Sequence, residues 1–540
     1  MCSIAGLLDK SGKNITTGLL QMLQQTSHRG PDGCGIYISG IIKKASDPEH
    51  LDTDDVHGTS GLGHSRLQIT GSVGIQPLED CEKRFILGFN GEIWNYRELR
   101  AELALGGHVF ETDSDGEVIV HLVEEHFKNT TSLSESVLHA HKKLDGEYAF
   151  AIFDTSTKKV ALTRDSVGIK QLYYGQNEKY FAFCSEKKPL WDIGIEPRRV
   201  LPGEIVETNF DANSKPFFVN SKSDALQRPF VKLYDEKMAL ARYKEVLFDS
   251  VRKRIDGRDK VGVIFSGGVD SVLIARIVQM LSCDVTCYAT GFKGSPDVIA
   301  AIQSAKELGL KLNVHYLDEE EIRSELENII FSIESTNHLQ VDVAIPIFFA
   351  VKEAKKDMVK VILTGQGADE IFAGYPWYPE ILKREGSKAL NQSLWNDIEN
   401  LYKDTLERED KISMYHSIEL RVPYLDPKVI DVAMSISDDL KIKGSNVKYL
   451  HRMLAQDVGV PLSIAWREKE AAQHGSHVHN NLLKIIEKMN DTACNTISLE
   501  NTENLGSAYR YNHDVYKENK STQNTLNHLG KKIGLYPREM

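Results

Sequence analysis

The chain has 540 residues, 41% of them hydrophobic, and its 65 lysines and arginines against 77 aspartates and glutamates give a formal net charge of -12. This length exceeds a single core and predicts roughly two to four domains. The negative charge argues against a nucleic acid as the main partner, and no stretch approaches the roughly 20 apolar residues of a membrane span. Seven cysteines without a regular framework favour a reducing compartment. The composition therefore predicts a cytoplasmic protein that acts on small molecules.

The first 210 residues contain short alternating segments typical of strands, with a few helices. Tyr148 to Phe153 and Val160 to Thr163 flank a polar turn and predict a β-hairpin, whereas Glu117 to Phe127 has helical spacing. These segments predict a layered domain of sheets and helices over residues 2–210. The polar, turn-rich segment that follows predicts a linker at 211–235.

The segment from 236 to 485 alternates apolar strands with helices, and glycine-rich turns follow the strands. In chain order, the predicted strands and helices are KVGVIFSGG, SVLIARIVQML, DVTCYATGF, DVIAAIQSAKELGL and KVILTGQGADE. This alternation predicts an α/β domain with a parallel sheet, covered faces and ligand loops at the carboxyl ends of the strands. Residues 486–540 form a polar C-terminal extension.

The most specific local motif is SGGVDS, which runs from Ser266 to Ser271 between a predicted strand and a predicted helix. Free amides at a helix N-terminus bind anions, so the motif predicts a phosphate loop. An ordinary tight turn would need neither two serines nor an acid. The loop lacks the Gly-Lys-Ser/Thr ending of a Walker A motif, and Asp270 is a candidate ligand for Mg²⁺ on the phosphates.

A second glycine turn, TGQGADE, follows another predicted strand. Asp369 and Glu370 lie beside Gly365 and Gly367, so the backbone can approach a ligand closely while a carboxylate reaches the same metal. Asp270 and Asp369 would thus bracket Mg²⁺ from neighbouring strand ends. The plainer interpretation makes Asp369 an N-cap and Glu370 a first-turn acid of the next helix.

The order of these motifs resembles that of the glutamine-dependent asparagine synthetases across nearly the whole chain. The C-terminal half carries SGGVDS, GSPDV, TGQGADE, SMYHSIELRVPYLD and WREKEAAQHG, and the N-terminal half carries HRGPDG, GHSRLQI, FNGEIWNY, SDGEVI and RDSVGIKQLYY. The resemblance implies an α+β N-terminal-nucleophile domain of four αββα layers, followed by an α/β ATP-pyrophosphatase domain of the adenine nucleotide alpha hydrolase type. The implied reaction is ATP-dependent amidation of aspartate, through aspartyl-AMP, with ammonia released from glutamine.

The same resemblance gives a role to Cys2, directly behind the initiator methionine. If Met1 is removed, which a small second residue permits, the thiol and a free α-amine lie on one residue, and an amine with a pKa of roughly 8 can act as the general base. The plainer interpretation is a buried structural cysteine in a strand. It would not account for hydrogen-bond donors to a substrate in the same half of the chain. Asn90 and Gly91 are the implied oxyanion hole.

The resemblance also implies a set of glutamine ligands in the N-terminal half. Arg66 suits the α-carboxylate as a two-pronged donor, and Glu92 and Asp115 suit the α-ammonium. Taken singly, Arg66 or Asp115 would more often belong to a surface ion pair. The full implied set consists of Arg66, Leu67, Ile69, Asn90, Gly91, Glu92 and Asp115.

In the C-terminal half the resemblance implies an ATP site around both glycine loops. Lys469 in WREKEAAQHG would neutralise charge on the phosphates, although a lysine in so charged a segment is usually just solvated. Asp270 and Asp369 would hold Mg²⁺. The implied ATP ligands are Phe265, Ser266, Gly267, Gly268, Asp270, Ser271, Thr290, Thr364 and Gly365.

One position departs from the family's commonest pattern, because Gln366 stands where a glutamate is usual in the second glycine loop. That glutamate is thought to take a proton when ammonia attacks the acyl-adenylate, which an amide cannot do near neutrality. Water, a substrate phosphate or Glu370 are the open alternatives for the base. A different acceptor carboxylate and a non-catalytic regulatory homologue stay open as alternative functions, although the latter usually lacks Cys2 or the acid of SGGVDS.

Two further groups of residues are interpreted as structural. Cys283 and Cys287 lie on a predicted strand, where residues four apart extend too far for one metal. His474, His477 and His479 are predicted loop residues, with phosphate contact as the alternative. The predicted partners are glutamine, aspartate and ATP, without nucleic acid or membrane, and a homodimer is one possible assembly.

Overall fold

The computed structural model describes residues 2–213, 219–222, 226–229, 232–467, 475–493 and 520–535. The chain divides into two compact units, of which the first comprises the described parts of Met1–Arg228 and Glu399–Leu420, and the second those of Pro229–Ile398 and Arg421–Leu535. The domain boundaries at 210, 235 and 485 stay predictions. Sequence analysis did not anticipate that Glu399–Leu420 belongs with the first unit.

The first unit contains two antiparallel sheets. Its strands are β1 Ser3–Asp9, β2 Cys34–Ile38, β3 Ile41–Ala45, β4 Ser60–Ser65, β5 Leu78–Glu79, β6 Phe85–Ile93, β7 Gly146–Asp154, β8 Lys159–Arg164, β9 Tyr173–Gln176, β10 Tyr180–Cys184, β11 Arg198–Arg199, β12 Glu204–Asn209 and β13 Val219–Lys222. The seven-stranded sheet has the order β11-β9-β10-β1-β4-β2-β3, and the six-stranded sheet has the order β13-β12-β8-β7-β6-β5.

Helices cover the outer face of each sheet. They are α1 Thr16–Gln25, α2 Tyr96–Leu105, α3 Glu117–Thr130, α4 Leu133–Lys143 and α5 Lys188–Asp192, with short 3-10 helices at Ser27–Arg29 and Pro48–His50. Side chains alternate across each strand, so β7 sends Phe150 toward the helices and Ala151 toward the facing sheet. Three buried clusters result, one between the sheets and one under each helical layer. The four αββα layers and the predicted hairpin are confirmed.

The second unit is built on a parallel sheet. Its strands are β14 Lys260–Ile264, β15 Asp284–Gly291, β16 Lys311–Tyr316 and β17 Val361–Leu363, followed by β18 Glu419–Arg421, within which the chain re-enters this unit, in the order β16-β15-β14-β17-β18. The pairs β14–β15, β14–β17 and β15–β16 are parallel. The predicted alternation of strands and helices is confirmed.

Helices follow and flank these strands. They are α6 Glu236–Ile255, α7 Val269–Met280, α8 Pro296–Leu308, α9 Glu319–Ile333, α10 His338–Lys356, α11 Ala368–Ile371, α12 Tyr378–Glu385, α13 Ser387–Tyr415, α14 Pro427–Ser435, α15 Asp438–Lys441, α16 Tyr449–Asp457, α17 Leu462–Ala465, α18 Val478–Ala493 and α19 Lys520–Lys532, with a short 3-10 helix at Pro423–Leu425. Of α13, only the residues before Glu399 belong to the second unit. No helix within the described ranges is both long enough and apolar enough to cross a membrane.

One local prediction was wrong, and so was one alternative interpretation, the assignment of Asp369 as an N-cap. His479 lies inside α18 rather than in a loop, and its Nδ1 is 2.7 Å from a carboxylate oxygen of the buried Asp342. Gly367, with a φ of 93°, is the N-cap of α11, so Asp369 is a first-turn residue and not the cap. His477 has a φ of 61° and precedes α18, and His474 lies outside the described residues.

Candidate active sites

Cys2 lies immediately before β1 with only 7% of its surface exposed. Its backbone nitrogen donates to Asn90 Oδ1 over 2.9 Å, and its Sγ is 4.0 Å from the carbonyl oxygen of Leu67. Burial raises the pKa of the thiol, while the positive charge of Arg66 acts in the opposite direction. The thiol is therefore protonated at rest and needs a base to become a nucleophile.

The side-chain amide of Asn90 has an unused hydrogen-bond donor. Its Nδ2 is buried and has no hydrogen-bond partner among the described residues. The next residue, Gly91, has a φ of 152°, and a Cβ there would stand 2.2 Å from the carbonyl oxygen of Glu147, so only glycine fits. A buried unpaired donor beside a thiol is suited to a negative charge that develops during reaction.

Arg66 is 6% exposed and directs its guanidinium at a surface loop. Its Nη2 donates to the carbonyl of Gly71 over 3.0 Å, and its Nη1 to that of Ser72 over 3.4 Å. Asp113 holds this loop by accepting hydrogen bonds from the backbone amides of Ser72 and Val73, each over 2.7 Å. These amides lower the pKa of Asp113 to about 2.

Glu92 and Asp115 form a buried acidic pair near Cys2. Glu92 accepts a hydrogen bond from Thr70 over 2.8 Å, and Asp115 accepts one from the backbone amide of Ile93 over 2.7 Å. Burial and the charge of Glu92 raise the pKa of Asp115 well above its ordinary value. An ammonium group bound beside the pair would relieve this repulsion. Ile69 is also buried, at 6% exposure.

Arg29, which sequence analysis did not select, fixes the backbone of Cys2. The fully buried guanidinium donates from Nε to the carbonyl of Cys2 over 3.2 Å, from Nη1 to Glu186 over 3.1 Å and from Nη2 to Asp410 over 2.9 Å. Both carboxylates raise the pKa of Arg29 despite its burial. Because Asp410 is 381 positions away, no local spacing links the two residues.

In the second unit, the phosphate-loop motif joins β14 to α7. Gly267 has a φ of 73°, and a Cβ there would lie 2.4 Å from the backbone nitrogen of Ala301 in α8. Gly268 is the N-cap of α7 and donates to Ser266 Oγ over 3.4 Å. Ser266 is exposed, whereas Phe265 and Ser271 are buried. An exposed turn at the N-terminus of a twelve-residue helix fits an anion.

The TGQGADE loop lies directly against the phosphate loop. A Cβ on Gly365 would stand 2.9 Å from Cβ of Asp270, so glycine permits the close approach. Thr364 is buried beside it, at 5% exposure. The hydroxyl of Thr290 donates to the carbonyl of Pro346 over 2.6 Å, which leaves its oxygen lone pairs for a further contact.

Asp270 and Asp369 converge on one ammonium group. Lys448 Nζ lies 2.8 Å from each carboxylate oxygen of Asp270 and 2.6 Å from Asp369 Oδ1, and the lysine is only 2% exposed. His451 Nε2 is 3.1 Å from Asp270 Oδ1. Carboxylate oxygens are the ligands that Mg²⁺ prefers, so the donor chemistry fits, provided that Lys448 gives up part of its contact.

The two halves of the chain match two family models. Residues 1–214 match the glutamine amidotransferase domain, and residues 242–388 and 382–526 match asparagine synthase. A putative glutamine-hydrolyzing asparagine synthetase 1 of Methanocaldococcus jannaschii is 36% identical, covering 90% of this chain and 96% of the relative. The chain belongs to the asparagine synthase family. A second relative, the glutamine-hydrolyzing asparagine synthetase B of Escherichia coli, is 28% identical over 96% of this chain and 89% of its own.

Within this asparagine synthase family member, the structure brings most of the predicted residues into two groups. Cys2, Asn90 and Leu67 are in contact in the first unit, and Asp270, Asp369 and Gly365 in the second. Lys469 lies outside the described residues. Lys448, which the sequence analysis missed, stands between the two acids, and no spacing in its short polar segment pointed to either of them.

Gln366, the departure from the commonest pattern of the asparagine synthases, is half-buried on the loop between β17 and α11. Glu370, the nearest alternative base in sequence, is 4% exposed and accepts a hydrogen bond from the hydroxyl of Tyr375 over 2.6 Å. Tyr375 in turn stacks on Trp377 at 4.5 Å. Glu370 is thus held by an aromatic pair, which limits its freedom to reach a substrate.

Proposed function

We propose that this protein is a glutamine-hydrolysing asparagine synthetase, which converts glutamine, aspartate, ATP and water into glutamate, asparagine, AMP and pyrophosphate. The observation that carries the proposal is the presence of two sets of chemical groups on one chain of this family. One set is Cys2 beside the unpaired amide of Asn90, and the other is the pair of glycine loops that brings Asp270 and Asp369 together.

In the glutaminase reaction, the Cys2 thiol attacks the side-chain carbonyl of glutamine and forms a thioester. After removal of Met1, the α-amine of Cys2 takes the thiol proton and passes it to the departing ammonia. The Nδ2 of Asn90 and the amide of Gly91 stabilise the oxyanion. Water then releases glutamate, and Arg29 holds the Cys2 backbone in place throughout.

The glutamine backbone is recognised by opposite charges. Arg66 binds the α-carboxylate when its guanidinium turns away from the carbonyls of Gly71 and Ser72. Leu67 and Ile69 flank the bound carboxylate. Glu92 and Asp115 bind the α-ammonium, whose positive charge offsets the repulsion between the two carboxylates.

In the synthetase reaction, the aspartate side-chain carboxylate attacks the α-phosphorus of ATP, and pyrophosphate leaves. Amides of the loop from Ser266 to Gly268 hold phosphate oxygens, with Thr290, Thr364 and Gly365 nearby. Mg²⁺ bound to Asp270 and Asp369 would neutralise charge on the phosphates. Lys448 contacts both carboxylates, and Lys469 is proposed to contact the phosphates.

The second candidate function, amidation of a different carboxylate, is favoured by one observation. Gln366 cannot accept the proton that ammonia loses on attack, and Glu370 is engaged by Tyr375. A panel of carboxylates with ATP, Mg²⁺ and ammonium salts, read out by product mass and AMP release, distinguishes the two. Amide formation on aspartate alone supports the proposal, whereas a preferred second acid would replace it.

The decisive experiment separates the two nitrogen sources. Cys2→Ala keeps a small second residue, so methionine removal persists, but it deletes the nucleophile. Glutamine-dependent synthesis should fall by several orders of magnitude, whereas synthesis from ammonium salts should persist. Asp270→Asn should do the reverse, with loss of pyrophosphate exchange and retention of glutaminase activity. Substantial glutamine-dependent synthesis by Cys2→Ala would sink the N-terminal-nucleophile mechanism.

We further propose a cytoplasmic location and a homodimer, with no nucleic acid or membrane as partner. The location is supported by the cysteine pattern of the sequence, since seven cysteines in 540 residues form no regular disulfide framework. Light scattering of the purified chain tests the dimer.

A further inference from the structure

Four metal-ligating side chains converge on the helical side of the six-stranded sheet. Cys81 lies in the loop between β5 and β6, His108 in the segment after α2, and His121 and Glu124 on α3. One potential ligand atom from each residue lies within 4.8 Å of all the others. None of the four belongs to the proposed glutaminase or synthetase machinery.

The contacts within this cluster are those of ligands that share one centre. Glu124 Oε2 is 3.1 Å from His108 Nδ1 and 3.4 Å from His121 Nδ1, and Cys81 Sγ is 3.8 Å from the same His121 nitrogen. Metal–ligand bonds of 2.0 to 2.3 Å in a tetrahedral site place the ligand atoms roughly 3.3 to 3.8 Å apart. The observed separations need only small side-chain shifts to meet that range.

The surroundings of the cluster are also those of a metal centre. His121 and Glu124 are 1% and 3% exposed, whereas Cys81 is exposed and leaves a path for entry. Outer groups orient the ligands: Glu117 Oε1 lies 3.7 Å from His121 Nε2, and Lys128 Nζ lies 2.9 Å from the second oxygen of Glu124. The amide of Val109 also donates to Cys81 Sγ over 3.5 Å.

We propose that Cys81, His108, His121 and Glu124 bind one zinc ion that ties three separate segments of the first unit together. One sulfur, two imidazole nitrogens and one carboxylate oxygen form a donor set that suits Zn²⁺ and not Mg²⁺ or Ca²⁺. A thiolate and a carboxylate neutralise the charge of the ion. Four protein ligands leave no open position, so the role is structural rather than catalytic.

Such an ion stabilises the fold because its ligands are distant along the chain. Zinc would join the β5–β6 loop and the α2–α3 segment to the middle of α3, in addition to the hydrogen bonds, the Lys128–Glu82 ion pair and the ring contacts of His121 that connect them. His121 and Glu124 are spaced i and i+3 on α3, which places both on one helix face.

The test measures metal in the full-length protein. Wild type, purified without chelator and dialysed, should retain about one zinc per chain by elemental analysis. Cobalt-substituted wild type should show a thiolate-to-cobalt absorption band, which Cys81→Ser should lose. Zinc should raise the thermal midpoint of the apoprotein and have little effect on that of Cys81→Ser.

Cys283→Ser is the matched control, since Cys283 is partly exposed, lies in the other unit and has no histidine in hydrogen-bond contact among the described residues. It should behave like wild type in all three measurements. His121→Asn provides a second ligand variant, and it should lose zinc while the exposed Cys81 is intact. If wild type takes up no zinc and shows no cobalt–thiolate band, the cluster is a hydrogen-bonded network of Glu124 and the proposal is wrong. Equal zinc content in wild type and Cys81→Ser would likewise overturn it.

Discussion

At the scale of single residues, Asn90 is held through the oxygen of its side-chain amide but not through the nitrogen, as far as the described residues go. Its oxygen accepts from the nitrogen of Cys2, and its nitrogen is buried without a partner among the described residues. An unpaired buried donor is unfavourable in the resting protein. It becomes favourable when negative charge develops on a carbonyl oxygen beside the thiol, and this difference is what lowers an activation barrier.

Asn90→Ala should therefore lower the kcat for glutamine hydrolysis by about 10²- to 10³-fold. Ammonia-dependent synthesis should be unchanged, because that chemistry uses groups of the second unit. Asn213→Ala, an exposed asparagine of the same unit, serves as the control. Steady-state glutaminase kinetics with both variants check the expectation, and a wild-type kcat for Asn90→Ala would remove Asn90 from the oxyanion hole.

Lys441 is a fully buried lysine away from both candidate sites. Its Nζ lies 3.5 Å from the sulfur of Met434, and burial, with a smaller effect of the charge on Lys232, lowers its pKa to about 7. In the unfolded chain a lysine has a pKa of about 10.4, so between these values the unfolded state binds a proton that the folded state does not. The stability contribution of this group therefore rises with pH across that window.

Lys441→Met should stabilise the protein at pH 7 by about 1–3 kcal/mol, because it removes a buried charge and keeps the volume. The gain should shrink as pH rises toward about 10.4, because only above that value is the wild-type lysine neutral in both states. Urea unfolding midpoints at several pH values measure this difference, with the exposed Lys237→Met as the control. If the free energy of unfolding of Lys441→Met minus that of wild type were constant or negative across this pH window, Lys441 would not be a buried lysine with a lowered pKa.

At the scale of elements, the phosphate loop depends on how closely α8 packs against the turn between β14 and α7. Gly267 combines a left-handed φ of 73° with a backbone neighbour 2.4 Å from its missing Cβ, so backbone strain and steric exclusion act together. Ser304 of α8 also donates to the carbonyl of Gly267 over 3.1 Å. The loop conformation is thus imposed by a helix that follows it in the chain.

Gly267→Ala should lower pyrophosphate exchange into ATP at least about tenfold, because the loop must move away from α8. Gly309→Ala separates the two causes, since Gly309 has a φ of 62° but nothing within 4 Å of its Cβ position. That control should lose about 1 kcal/mol of stability and keep exchange. Equal exchange by both variants would contradict the steric argument.

The C-terminal extension illustrates a second property of elements. The helix α18, which begins before this extension, buries Leu482, Ile485 and Ile486, and α19 within it buries Leu526 and Leu529, although the surrounding sequence is polar. These apolar residues recur at helical spacing, which gives each helix one apolar face. The segment predicted as a polar extension, residues 486–540, is therefore polar in composition, but its described residues form packed helices.

At the scale of the whole molecule, the first unit is discontinuous. Glu399–Leu420 contributes Asp410 to the fully buried Arg29, and Glu407 to Arg199 over 2.7 Å. Lys170 also donates to the carbonyl of Leu420 over 3.2 Å. Removal of one partner from a buried charged pair is strongly destabilising because the other charge stays buried.

A chain that ends after residue 228 should therefore lack stable glutaminase activity, although it contains every predicted glutamine ligand. Asp410→Ala in the full chain tests the cause with less disruption, and it should destabilise the first unit by about 3–5 kcal/mol. The half-buried Asp404→Ala on the same helix is the matched control. Circular dichroism and glutaminase assays of the three proteins decide the question, and full activity of the fragment would show that Glu399–Leu420 is dispensable.

The sequence by itself determined the features that depend on short-range periodicity. The β7–β8 hairpin, α3, and the strand–turn–helix at SGGVDS follow from local spacing, because the side chains that define them are neighbours along the chain. Family resemblance named Cys2, Asn90 and the two glycine loops, and the structure places Cys2 against Asn90. The chemical roles of Cys2, Asn90 and the two glycine loops remain proposals.

Only the tertiary structure decided which distant residues meet. Three sets of contacts join distant segments: Lys448 with Asp270 and Asp369, Asp410 with Arg29, and the cluster around Glu124. The joined segments share no spacing, so no pattern in the sequence marks these contacts. The physical reason is that ion pairs and ligand sets are selected by distance in the folded state. Periodicity reports which face of an element is buried, but not what lies opposite that face.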